Sequence, residues 1–215
     1  MVTRESYTRR VVKDARAWFR EHVIDISTMP DEASQNGLMT VVDFHRPDSS
    51  MYAVRYIFSG HYVFVSGDLG TAVFNCTWRT GPTDGYWKNT DYVYEKLDAA
   101  KHTASFDSDV CLTNLRNGLL EPDEKGNHNR FPSRWTATEC ETFRLLREEA
   151  ERCVSVDQWH MALRRINAER SCGISALDPA WWEWMDSAGS VIPVNVLGMI
   201  TGLQLIANKL SSKTL

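Results

Sequence analysis

Asp43-Phe44-His45 places a carboxylate and an imidazole two positions apart, and on a β-strand that spacing turns both side chains to one face. With His61 brought across the sheet, Asp43, His45 and His61 supply the ligand types of a divalent-metal site. Asp68 near the same sheet edge would complete a small metal-dependent enzyme acting on a nucleotide or nucleic acid. The plainer reading of the same residues is an exposed, hydrogen-bonded sheet face. His22, His102, His128 and His160 fall at no ligand spacing. Cys172-Gly173, with His160 in the preceding helix, and Cys111, near Asp107 and Asp109, are the candidate thiol nucleophiles. Neither has a pattern that fixes a base and its orienting partner, so both are expected to pack. No catalytic residue and no cofactor is assigned.

Gly67-Asp68-Leu69-Gly70 is the most motif-like tetrad. A glycine-flanked turn can offer backbone amides to a phosphate. Asp68, however, would set a negative charge beside the anion, and no helix start follows. The tetrad is therefore read as a hairpin turn whose glycines supply positive φ and whose Asp bonds nearby backbone. Trp181, Trp182 and Trp184 crowd one short helix and cannot all face inward, because consecutive helical positions diverge by about 100°. Either one of them is an exposed binding anchor or the helix is wedged between two layers, and burial of large aromatics favours the wedge.

The element that must position these groups is Met51 to Trp78, three β-branched and aromatic runs parted by Ser59-Gly60 and by the Gly67–Gly70 tetrad, an antiparallel meander. Tyr52, Val54, Tyr56 and Phe58 share one face, with Arg55 on the wetter one. Leu38 to Phe44 adds a strand ahead of it. An amphipathic helix spans Ser6 to Ile24 and another is expected from Asn89 to Lys101. Helix starts are read at Thr138 with Glu141, Ser155 with Gln158, and Asp178-Pro179. Asn195 to Leu210 is apolar nearly all round, which places it against the sheet. The expected fold is α+β: an antiparallel sheet of three to four strands covered by helices. It is drawn as one domain, with helix and sheet over about 1–116, a polar stretch over about 117–135 and helices over 136–215. The polar stretch is either a mobile loop or a joint.

Composition sets the remaining limits. At 215 residues, with 43% hydrophobic and 24% charged residues, the chain is long enough for a full core. The net charge of −4 and the lack of a dense Lys/Arg cluster disfavour nucleic acid as a partner. Five cysteines without a CxxC pair suit reduced, packed thiols. Val191 to Asn208 carries no charge, but it is short and holds Pro193, Asn195 and Gln204, so a core helix is expected and not a membrane span. No apolar signal core is visible, and secretion is not expected.

The run Gly60-His61-Tyr62-Val63-Phe64-Val65-Ser66-Gly67-Asp68-Leu69-Gly70-Thr71-Ala72-Val73-Phe74 resembles the meander of a family of uncharacterised phage and prophage accessory proteins. Tyr94-Glu95-Lys96-Leu97, with Tyr86-Trp87 displaced upstream, and the closing apolar helix over Val196 to Ala207 extend the similarity loosely over Asp43 to Leu210. The resemblance implies a mobile-element origin, the cytoplasm of an infected bacterial host, and no known catalytic residues. It also suggests a stoichiometric binder that inhibits a host protein, most sharply a defence component such as a CRISPR-Cas effector, in the manner of an anti-CRISPR protein. The surfaces expected to bind are Asp68 and Leu69 in the tetrad, Glu121, Asp123, Glu124 and Arg130 in the polar stretch, and Trp182.

Overall fold

Alternation of large apolar residues in the middle of the first hundred residues produces a wider sheet than the sequence suggests. The computed structural model describes residues 2–32, 37–100, 104–169 and 173–212. Its strands β1 (Val23–Pro30), β2 (Leu38–Arg46), β3 (Ser49–Ser59), β4 (Tyr62–Gly67), β5 (Ala72–Asn75) and β6 (Leu97–Ala100) form one six-stranded antiparallel sheet in chain order. The expectation of three to four strands is corrected at both edges. On one side, the helix α1 (Arg4–Trp18) stops before the expected Ile24. Val23 and Ile24 pair instead with His45 and Phe44, so cross-strand packing overrides the helical stripe. On the other side, Asn89 caps only the short helix α2 (Thr90–Tyr94), its Oδ1 accepting from the Tyr92 amide. The expected helix to Lys101 gives way to β6, which satisfies the free edge of β5; Lys101 itself lies outside the described residues.

The chain divides into two compact units, residues 8–103 with 192–215, and residues 1–7 with 104–191. In the first, Phe44, Val54, Tyr56, Phe58, Val63, Val65 and Phe74 form the buried face of the sheet. Helix α6 (Val194–Ser211) lies against them, as its all-round apolar pattern requires: Tyr56 Oη donates to the Met199 carbonyl at 2.9 Å. Among the described residues, no helix is long and apolar enough to cross a membrane.

The second unit carries α3 (Ser108–Leu119), α4 (Ala137–Arg152) and α5 (Val156–Glu169) around Leu115, Leu146, Trp159 and Leu163. Short pairs join β7 (Ser105–Phe106) to β10 (Ser190–Val191) and β8 (Glu121–Pro122) to β9 (His128–Arg130). The stretch 117–135 lies inside one unit. Leu119 ends α3, and the rest folds as a hairpin inside one unit. The α4 capping box is Thr136 with Glu139, two residues ahead of the expected Thr138 and Glu141. Both are T-x-x-E, and the earlier one gives the longer helix and more backbone hydrogen bonds. Ser155 caps α5 as expected, but Gln158 Oε1 reaches the Val154 amide. Asp178 accepts from the Ala180 amide, and the turn after it is a 3-10 helix over Trp181–Glu183.

His22 is a buried imidazole of the sheet unit, and its protonation is expected to weaken that unit in acid. It is 3% exposed, packed between the rings of Phe19 and Phe44, and its Nε2 donates to the Tyr52 carbonyl at 3.2 Å, leaving Nδ1 without a partner. Burial lowers its pKa below 6.5; the Tyr52 bond opposes this, and repulsion from Lys209 and Arg46 adds to it. A lowered folded pKa contributes stability that is full above the unfolded value and lost as pH falls. Stability of the sheet unit is thus expected to drop below pH 6.5, and His22→Gln, which keeps a donor but does not titrate, is expected to flatten that limb. Urea midpoints measured across pH check it; an unchanged acid limb in the variant rejects the assignment.

Candidate functional site

Where α6 and α1 cover one face of the sheet, the register dictates what the opposite face presents. Side chains alternate along each strand, and Val41, Ile57, Phe64 and Val73 are consecutive cross-strand partners over β2 to β5. They make an apolar stripe at right angles to the strands. Phe64 is 42% exposed, and Tyr62, 41% exposed, stacks on it with ring centroids 5.9 Å apart. Beside the stripe runs a polar row in which Asp25, Asp43, Arg55 and Ser66 are successive partners. On the other side lie Ser59, Tyr62 and Asn75.

The polar row borders a shallow cleft of about 350 Å³ lined by Asp25, Asp43, His45, Arg55, Ser66 and Gly67. Here the Asp43–His45 spacing does turn both side chains one way, and each finds a partner other than a metal. The Arg55 guanidinium grips Asp43 through Nε at 2.7 Å and Nη2 at 3.0 Å. His45 Nε2 lies 2.7 Å from Asp25 Oδ2, while Nδ1 lies 3.3 Å from the Arg46 carbonyl. The Asp25 carboxylate, then the Arg46 carbonyl, raise the His45 pKa above 6.5. Its small contribution is present below pH 6.5 and lost above it, the window opposite to that of His22.

The metal alternative fails on register. Asp43 faces Arg55, whereas His61 follows Ser59 and Gly60, about 13 Å or more along the strand at ~3.3 Å per residue. Among the described residues no group of three or more His, Cys, Asp or Glu is placed to hold a metal. Nor do Asp25, His45 and Ser66 form a nucleophile relay. Ser66 is on β4 and His45 on β2, with Arg55 of β3 between them, and strands sit about 4.8 Å apart. The row is a set of half-exposed ion pairs that orders a surface.

Asp68 and Leu69 belong to the sheet unit, where the tetrad forms the expected turn. Gly67 and Gly70 have φ of 145° and 103°, and the Asp68 carboxylate accepts from the Tyr52 amide at 2.9 Å. That bond helps hold Tyr52 at φ 57°, a left-handed backbone inside β3, while its ring stacks on Trp18 at 5.0 Å. Asn195 of α6 donates to the Leu69 carbonyl, so this half-exposed turn is tied to α6. Glu121, Asp123, Glu124, Arg130 and Trp182 fall in the helical unit. Glu121 opposes Arg130, and Asp123 accepts from the Asn127 amide, then from the Lys125 amide and the Asn129 side chain, which lower its pKa. Trp182 is 59% exposed, and Trp181 and Trp184 pack on the core, so the three tryptophans are not wedged between layers. Trp184 Nε1 donates to Asp178 and fixes this orientation.

Burial pushes the Cys111 thiol far up and the Cys76 thiol up to about 12, which suits packing and not nucleophilic attack. Cys172 lies outside the described residues. Sequence reasoning missed the outward stripe; its signal was the second face of the meander, where Ile57, Phe64 and Val73 are as apolar as the inward residues. Comparison of this chain with protein-family models, with curated proteins and with solved structures finds no match.

Proposed function

We propose that the protein acts by binding another protein, without turnover, through the outward face of its sheet. The observation that carries this reading is the outward stripe of Ile57, Phe64 and Val73, running out from the buried Val41, with Tyr62 stacked at its margin and the Asp43–Arg55 and His45–Asp25 pairs at its rim. An apolar centre, exposed aromatics and a charged rim are the anatomy of a protein interface. The likeness of the meander to phage accessory proteins supports a host factor as the partner. A bacterial defence component, such as a CRISPR-Cas effector, is its sharpest form. Trp182 with the Glu121 to Arg130 hairpin offers a second surface, on the helical unit.

Affinity capture from host lysate, then titration of the recovered protein against variants, tests this. Phe64→Ala combined with Tyr62→Ala is expected to weaken binding by about 2 kcal/mol or more, roughly 30-fold, with circular dichroism unchanged. Charge reversal at Glu124 with Trp182→Ala measures the second surface. Undiminished binding by the Phe64/Tyr62 variant removes the sheet face from the reading.

A further inference from the structure

At the free edge of the sheet, β1 exposes nearly its whole length of eight residues. Its bonding to β2 can be followed from the bond that the Asp31 amide donates to the Gly37 carbonyl, just beyond the strand ends. Antiparallel pairs alternate between bonded and non-bonded, so the odd-numbered residues of β1 bond β2. The N–H and C=O groups of Ile24, Ile26 and Thr28 point to the open edge. Natural edge strands are blunted by lysines, prolines, bulges or shortness. β1 has no lysine, one charge at Asp25, and a proline only at its last position, Pro30.

We infer that two copies of this chain join β1 to β1, antiparallel about a two-fold axis through Ile26, into one continuous sheet. Three features select that register. A two-fold axis normal to the sheet must place residues of like face opposite one another, so the centre lies on a residue and not between residues. Centring on Ile26 sets Ile26 against Ile26 and Ile24 against Thr28, all with edge-directed backbone groups, giving two hydrogen bonds at each of the three facing pairs. Centring on Ser27 would instead bring Pro30, which has no N–H, against Ile24.

Charge agrees with the same register. About Ile26, Asp25 of each copy opposes Ser27 of the other, and Val23 opposes Met29, both exposed apolar residues. Centring on Asp25 would set the two carboxylates face to face. Ile26, 48% exposed in the single chain, becomes the apolar centre of the joint. The Ile26-centred register pairs its three edge-directed positions with no carbonyl left facing a proline and no like charges opposed, and its occupant is a second copy. The stripe around Phe64 takes no part, so loss of partner binding in the Phe64/Tyr62 variant leaves this association untouched.

Sedimentation equilibrium of the full chain is expected to show a dimer at concentrations up to about 1 mM, the weak end of specific association. Ile26→Pro removes an edge-directed N–H without touching a β1–β2 bond, and Ile26→Lys sets two ammonium groups across the axis; both are expected to be monomeric with unchanged circular dichroism. Under mild oxidation Ile26→Cys is expected to give a disulfide-linked dimer, since a bonded pair places Cα atoms about 5.5 Å apart. Thr28→Cys is not, because the two copies of position 28 lie about 13 Å apart along the strands. A monomer throughout that range, a dimer that survives Ile26→Pro, or equal cross-linking at positions 26 and 28 overturns the inference.

Discussion

Gly67→Ala is expected to destabilise the sheet unit by about 3 kcal/mol or more. Gly67 has φ 145°, a region that side chains rarely enter. A Cβ there would overlap the Ala53 carbonyl and lie 3.0 Å from the Val54 Cα. Both neighbours are backbone atoms of β3, so relief requires a strand to move and not a side chain to rotate. Two backbone bonds close the same corner, from the Asp68 amide to the Ala53 carbonyl and from the Gly70 amide to the Gly67 carbonyl. Asp68→Ala loses only the carboxylate acceptor of the Tyr52 amide and is expected to cost about 1 kcal/mol. Hydrogen exchange of β3 and β4 amides in increasing urea separates the two. Equal, small shifts for both variants would mean that the tetrad is a replaceable loop.

The tetrad shows which parts of the structure were legible in the sequence. Glycines with an Asp between two β-branched runs specify a turn by local sterics, and local sterics are written in the residues themselves. The apolar all-round pattern of α6 was equally legible, because only a helix covered on most sides tolerates it. The edges of the sheet were not. Val23-Ile24 continues a helical stripe as well as it begins a strand, and the pairing with Phe44 and His45 decides between them from twenty residues away in sequence.

The candidate site was half legible for the same reason. That Asp43 and His45 share a face follows from strand geometry, while their partners depend on which strands lie alongside. Asp25 comes from a strand whose first two residues, Val23 and Ile24, continue the helical stripe of the sequence, and Arg55 takes the carboxylate a metal would have needed. The stripe of Ile57, Phe64 and Val73 requires two registers at once. Each register is set by a turn, Gly60-His61 and the Gly67–Gly70 tetrad among them, so turn chemistry aligns the apolar residues that the proposed partner would meet.

Gly202→Ala sets two effects of opposite sign against each other. On an isolated helix the change would stabilise by about 1 kcal/mol, the difference in helix propensity. Inside α6 it is expected to destabilise by about 2–3 kcal/mol, because the new methyl would overlap Tyr56 Oη and sit 3.1 Å from Tyr56 Cζ and 3.6 Å from the Phe19 ring. Tyr56 is fully buried, and its hydroxyl is committed to the Met199 carbonyl, so it cannot swing into solvent. The hydroxyl is the main obstacle, which makes the clash separable. Tyr56→Phe alone is expected to cost about 1 kcal/mol, the worth of one neutral hydrogen bond whose acceptor remains within the helix. In the Tyr56→Phe background, Gly202→Ala is expected to cost about 1–2 kcal/mol less than in the parent, a coupling that a double-mutant cycle in urea reads directly. Additive costs, or a gain in stability from Gly202→Ala alone, would place α6 farther from β3 and remove the close approach that lets α6 pack on the inner face of the sheet.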